Sequence, residues 1–207
     1  MLAAKLENKE QLVIKEIEKP ILRNGEALIK VLYAGVCGSD VTVYSGKHPT
    51  ATFPVVLGHE ILGIIEDIRS DKPIQFKIGD RVTVDPLISC GVCEACRKGF
   101  YHVCKELKLL GIHEDGGYAQ YTKASIDKLV KVSDKLPDQI AALAEPFAVG
   151  FHVLSRSELK LGDMALVIGA GPIGLIIAIA AKAAGASRVV ISEINEKRLD
   201  LAKVLGF

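Results

Sequence analysis

Strong charge of either sign is missing from this chain. Over 207 residues the formal net charge is +1, with acids and bases interspersed. No electrostatic footprint for nucleic acid or an anionic membrane results, so a small molecule is the expected partner. A targeting segment is lacking too: Met1 to Lys5 holds no apolar signal core, and the next residues carry both signs. The cytoplasm is the expected compartment. Repeats, low-complexity tracts and a flexible Gly/Ser linker are absent, so the parts of the chain should pack against each other. At 49% hydrophobic and 25% charged residues, the composition is that of an ordered globular protein and excludes disorder.

An uninterrupted membrane-spanning helix is also missing. Met164 to Ala181 is uncharged and long enough, but Gly169, Gly171, Pro172 and Gly174 break it into a buried strand, a turn and a helix start. Cysteine is scarce, at five residues, and four of them cluster as C-x2-C-x2-C-x7-C: Cys90, Cys93, Cys96 and Cys104. Thiolates at this spacing can wrap one tetrahedral zinc ion at about 2.3 Å, with Gly91 and Gly99 supplying the sharp turns. Arg97, Lys98 and Lys105 are placed to offset the excess negative charge. A full thiolate set leaves no open position for substrate, which makes this a structural site. Two variants stay open: His102 in place of Cys104, and a pair of disulfides, which no sign of an oxidising compartment favours.

Taken in order, Leu12 to Ile17 and Ala27 to Leu32 read as strands between the turn signals Pro20 and Asn24-Gly25. Cys37 to Ser45 reads as a short helix or loop. Ile61 to Ile68 is a β-branched run suited to a central strand, and Arg81 to Val84, Tyr118 to Thr122 and Lys128 to Val132 are further strands. Pro137 to Leu154 suggests a helix interrupted at Glu145-Pro146 and Gly150, and here the domain junction is expected. The resulting fold class is α/β with a β-rich part: residues 1–153 as a first domain and 154–207 as the start of a second.

That second part reads strand, glycine turn, helix, strand. Gly169-Ala-Gly171-Pro172-Ile173-Gly174 follows a strand and opens a helix, and Glu193 stands about 20 residues further on, as in a Rossmann βαβ unit. The turn would hold a pyrophosphate on backbone N–H groups, and Glu193 would take the ribose hydroxyls. A carboxylate there repels a 2′-phosphate, so NAD is expected over NADP. Arg198, early in the next helix, joins the candidate cofactor residues. A glycine turn without nucleotide is the plainer alternative.

Cys37 stands apart from the knot, in Gly35-Val36-Cys37-Gly38-Ser39-Asp40. With His59, Glu60 and Glu145 it shares a setting of glycine or proline breaks in apolar sequence, as site residues on loops often do. Cysteine, histidine and carboxylate with one open position make a catalytic zinc site. The plainer reading of His59 and Glu60 is a satisfied core histidine beside a surface acid.

These motifs, in this order over essentially the whole chain, resemble the zinc-dependent medium-chain dehydrogenase/reductase family. Glu145-Pro-Phe-Ala-Val-Gly-Phe-His152 is similar to its sorbitol and threonine dehydrogenase branches. Val84 to Cys90 and Leu109 to Gly117 resemble sugar-acid members more weakly. The resemblance implies a GroES-like domain carrying a catalytic and a structural zinc, followed by an incomplete Rossmann domain. It implies an NAD-dependent oxidation of a secondary alcohol of a polyol or sugar acid, in a homodimer or homotetramer. By it Cys37 and His59 hold zinc, Glu60 and Glu145 share the carboxylate duties, and Ser39 relays the hydroxyl proton. Relatives often place a histidine where Thr42 stands, which leaves the proton's exit open. It also implies that the chain is a truncated, inactive piece; a non-catalytic relative binding nucleotide or a partner is the alternative.

Overall fold

Leu2–Asn8 forms strand β1, although its alanine, lysine, leucine and glutamate favour helix. Pairing overrides propensity: β1 runs antiparallel to β2 (Gln11–Glu16), with Leu6 opposite Leu12 and fully buried. Sequence reasoning does not single out β1, because its strand character comes from these partners. β3 (Glu26–Gly35) then leads into the short helix α1 (Gly38–Tyr44). β4 (Val55–Val56) closes the first sheet in the order β2-β1-β4.

The β-branched run expected at the centre is β5 (Glu60–Arg69), followed by β6 (Arg81–Val84). β7 (Leu87–Ile88), helix α2 (Glu94–Arg97) and β8 (Lys108–Leu109) build the small lobe that carries the four cysteines. β9 (Tyr121–Ser125) and β10 (Leu129–Lys131) complete a sheet ordered β10-β6-β5-β3-β9. Ile29, Ile61 and Ile65 are fully buried there, each contributing about 1.5–3 kcal/mol. The opposite face of β5 sets Leu62 against Val132 and the helix α3 (Asp138–Ala141). β9 begins later than expected because Tyr118 is held elsewhere: its N–H bonds to the Leu57 carbonyl and its own carbonyl accepts from Ala4.

The computed structural model describes every residue from Met1 to Phe207 and has two compact units, Met1–Leu143 and Ala144–Phe207. In the second, α4 (Ala144–Arg156) runs through both Pro146 and Gly150, where interruptions were expected. Pro146 lies in the first turn, where no intrahelical donor is lost. Gly150 lets the helix lie against Ile176. The break falls earlier, between α3 and α4. Residue 153, the expected domain limit, thus lies inside α4, which packs within the second unit. β11 (Met164–Ile168), α5 (Pro172–Ala183) and β12 (Arg188–Ser192) form the parallel βαβ unit, and α6 (Glu196–Val204) follows. No helix is long and apolar enough to cross a membrane.

Asp80, at the turn before β6, accepts from Lys131 Nζ at 2.7 Å and from the Lys77 N–H at 3.1 Å. The Lys131 bond holds its carboxyl below the usual range against the opposing effect of burial. Its stabilisation is therefore present above the unfolded pKa of about 3.9 and fades as pH falls through the lower folded value. Asp80→Asn should cost about 1 kcal/mol in urea unfolding at neutral pH, discounted because Lys131 is exposed. The gap between variant and parent should close in titrations taken well below pH 4.

Candidate functional site

The antiparallel ladder of β3 and β5 ends with Gly35 opposite Glu60. The two loops just beyond that pair carry Cys37 and His59, so one ladder brings both to the same place. Ligand atoms of Cys37, His59 and Glu60 all lie within 4.8 Å of one another. His59 is 5% and Glu60 7% exposed. The site depends on Gly35 lacking a side chain: a Cβ there would fall 1.9 Å from Glu60 Oε2.

A second carboxylate sits behind this group. Asp40, 3% exposed in α1, accepts from the Cys37 N–H through Oδ2 at 2.9 Å and from the Gly58 N–H through Oδ1 at 3.3 Å. Oδ1 also lies 3.7 Å from His59 Nδ1. Hydrogen bonding with His59 and with the hydroxyl and backbone of Ser39 lowers the Cys37 pKa against burial, favouring thiolate. Burial raises that of Glu60; Asp40 adds to this and His59 opposes it. A thiol and two carboxyls thus share a buried volume with one imidazole. That imbalance, with S, N and O donors converging, fits a divalent cation such as zinc.

The other predicted residues are placed as follows. Ser39 lies beside Cys37, while the Thr42 hydroxyl turns back to donate to the Gly38 carbonyl at 3.1 Å. Glu145 is half-buried in the first turn of α4, in the second unit. Asp40 was quoted from sequence only as part of its motif, although C-x-x-D matches a capping-box spacing that places an acid at the third helical position. No local signal marks Tyr118, whose hydroxyl reaches Asp40 from a distant part of the chain.

Cys90, Cys93, Cys96 and Cys104 form the other donor group. Sulfur separations are 4.0 Å for Cys90 and Cys96, 3.5 Å for Cys93 and Cys96, and 3.9 Å for Cys93 and Cys104. Ligands at about 2.3 Å around a tetrahedral ion would stand about 3.8 Å apart, whereas a disulfide needs about 2.05 Å. The cysteines are unbonded. Backbone N–H groups of Cys93, Cys90 and Glu106 point at these sulfurs. Such bonds from Cys96 and Lys105 bring Cys93 down to about 6, while burial and the neighbouring thiols push Cys96 up to about 11. His102 stacks edge-on between Phe100 and Tyr101, and Lys98, expected to offset thiolate charge, pairs with Glu94.

In the second unit, β11 ends at the glycine turn and Pro172 opens α5 at its first position. The Gly169 N–H bonds to the Ser192 carbonyl at 2.7 Å, tying the turn to the end of β12. A side chain at Gly174 would meet the Gly169 carbonyl oxygen at 2.0 Å, so the turn closes only around glycine. Ile173 lies partly exposed in the first turn. Glu193 accepts from the Ala170, Ile194 and Asn195 N–H groups at 2.7, 2.9 and 2.9 Å. These bonds, Asn195 first, hold its carboxyl below the usual range with a smaller contribution from Arg198. The Arg198 N–H itself caps α6 on Asn195 Oδ1.

Comparison with known proteins identifies the family. The alcohol dehydrogenase GroES-like domain family matches residues 23–134. The sorbitol dehydrogenase of Bacillus subtilis strain 168 is 38% identical over 210 aligned residues, covering all of this chain and 59% of that protein. Two solved structures superpose closely. A zinc-binding dehydrogenase of Sinorhizobium meliloti 1021 bound to NADP gives a TM-score of 0.94 at 33% identity, over 99% of this chain and 59% of its own. An alcohol dehydrogenase of Escherichia coli CFT073 complexed with NADH gives 0.93 at 37%, over 100% and 60%. The chain therefore spans about three-fifths of the length of these relatives. With the donor groups and the βαβ turn in family order, the chain belongs to the zinc-dependent medium-chain dehydrogenase/reductase family.

Proposed function

We propose that this chain supplies the metal-binding part and the first nucleotide-binding unit of an oxidoreductase that transfers hydride from a secondary alcohol of a polyol or sugar acid to NAD. The convergence of Cys37, His59 and Glu60 within 4.8 Å carries this reading, since a fold kept only for binding has no need of a mixed-donor site. The sorbitol dehydrogenase relative supports the polyol class, and the Val84 to Cys90 and Leu109 to Gly117 segments support sugar acids.

Cys37, His59 and Glu60 would hold the catalytic zinc, and the four cysteines of the lobe a structural one. When bound, zinc supplies a Lewis acid that lowers the pKa of a hydroxyl, and NAD accepts the hydride. The chain's own groups do the rest. Ser39 relays the hydroxyl proton beside Cys37, passing its own on to water as it accepts the substrate's, and the Gly169 to Gly174 turn with the α5 N-terminus binds the pyrophosphate through backbone N–H groups. Glu193, kept ionised by its backbone donors, accepts from the ribose diol and repels a 2′-phosphate. That carboxylate favours NAD, as in the Escherichia coli neighbour, over the NADP of the Sinorhizobium one.

NADH formation by the whole oxidoreductase that contains this chain, offered polyols, sugar acids, threonine and simple alcohols, tests the reading. Turnover with one class is expected, lost on zinc chelation and lowered at least about 10²-fold in Cys37→Ala. No turnover with any class while zinc remains bound would leave a nucleotide- or partner-binding relative instead. In a parallel assay Glu193→Ala should raise KM for NAD about tenfold and narrow the preference over NADP; an unchanged preference would remove Glu193 from the cofactor site.

A further inference from the structure

Tyr118 is not among the candidate ligands, yet its hydroxyl lies 2.9 Å from Asp40 Oδ2 and 2.9 Å from the Gly35 carbonyl. Both partners are acceptors, and a phenol has one proton to give. A carboxyl oxygen at 2.9 Å competes for that proton with the Gly35 carbonyl, and Asp40 is the partner that links onward to both ligand loops. Asp40 in turn touches both ligand loops, at the Cys37 N–H and at the Gly58 N–H beside His59.

Tyr118 is itself held rigidly. Gly116, Gly117 and Tyr118 donate to the carbonyls of Val56, Gly58 and Leu57 at 2.7, 2.8 and 2.9 Å, so this segment is laced to the one that precedes His59. The ring fills the space over Gly58, whose φ is +92° and whose missing Cβ would lie 2.5 Å from the Tyr118 ring. The hydroxyl is thus fixed relative to one ligand loop and bonds to the carboxylate that anchors the other. Burial, with Asp40 close by, pushes the phenol pKa upward, so it keeps its proton as a donor.

We propose that Tyr118 is a positioning residue for the metal site. Its hydroxyl fixes Asp40, which sets the distance between the Cys37 and His59 loops and so the affinity and geometry with which Cys37, His59 and Glu60 take a divalent cation. The inference rests on reading those three residues as a metal site. Partners one step removed from the ligands, as Asp40 is, typically change metal affinity about 10–100-fold, and Tyr118 acts through that partner.

The test is metal binding by the full chain, read without turnover. Zinc affinity is measured by competition with a chromophoric chelator, and the visible spectrum is recorded after cobalt(II) substitution. Tyr118→Phe removes only the hydroxyl and keeps the ring against Gly58. It should bind about 10–100-fold more weakly at the Cys37 site and shift the cobalt bands of that site, leaving the four-thiolate site unchanged as an internal control. In an Asp40→Asn background the same change should have almost no further effect, since Tyr118 acts through Asp40.

Unchanged affinity and cobalt bands in Tyr118→Phe would overturn the positioning role and leave the metal site standing. So would equal losses at both sites or unfolding, which mark a purely structural tyrosine. A parent chain that binds metal at the four cysteines alone would overturn both this inference and the assignment of the Cys37 site.

Discussion

The antiparallel pairing of β3 with β5 is the constraint on which the convergence of Cys37, His59 and Glu60 in the first unit depends. Its final pair sets Gly35 against Glu60, and the chain leaves β3 toward Cys37 where it enters β5 from His59. Residues far apart in sequence therefore arrive together as a consequence of register. A one-residue slip would exchange the faces of β5, carrying Ile61 and Ile65 out of the core and turning Glu60 away from Cys37. The same apolar burial that stabilises the sheet thus fixes the site.

Both donor groups of the first unit hold more potential negative charge than their surroundings balance. At the Cys37 site the opposing shifts of Cys37 and Glu60 reflect one imidazole facing a thiol and two carboxyls. In the cysteine lobe, backbone N–H groups stabilise Cys93 as thiolate while Cys96 resists ionisation. A cation would offset each imbalance, but the donors differ: four sulfurs would close a coordination sphere, whereas three mixed S, N and O donors would leave room for a further ligand. Donor number is what would separate a structural ion from a catalytic one.

The second unit handles negative charge with backbone dipoles instead. Glu193 rests on backbone N–H groups, and the glycine turn presents others at the opening of α5. Gly174 has no room for a side chain beside the Gly169 carbonyl, so helix and turn approach as closely as this arrangement demands. Strand, turn and helix are contiguous here, and their geometry follows from local sequence.

That contiguity explains what the sequence alone determined. The cysteine knot, the glycine turn, Glu193 and most strands were legible because their information sits within short windows: close cysteine spacing, a G-x-G-x-x-G run after an apolar strand, β-branched alternation. Cys37 and His59 became candidate ligands only jointly with the other motifs, since a lone cysteine or histidine has plainer explanations. Only the tertiary structure decided that β1 is a strand, that α4 runs unbroken through Pro146 and Gly150, and that Asp40, Tyr118 and Gly35 surround the group formed by Cys37, His59 and Glu60. Each depends on a partner outside its own element: for β1 the neighbouring β2 and the more distant β4, for α4 the facing Ile176, for the site a carboxylate reached across the fold. Local propensity does not encode such partners; sheet register and packing do.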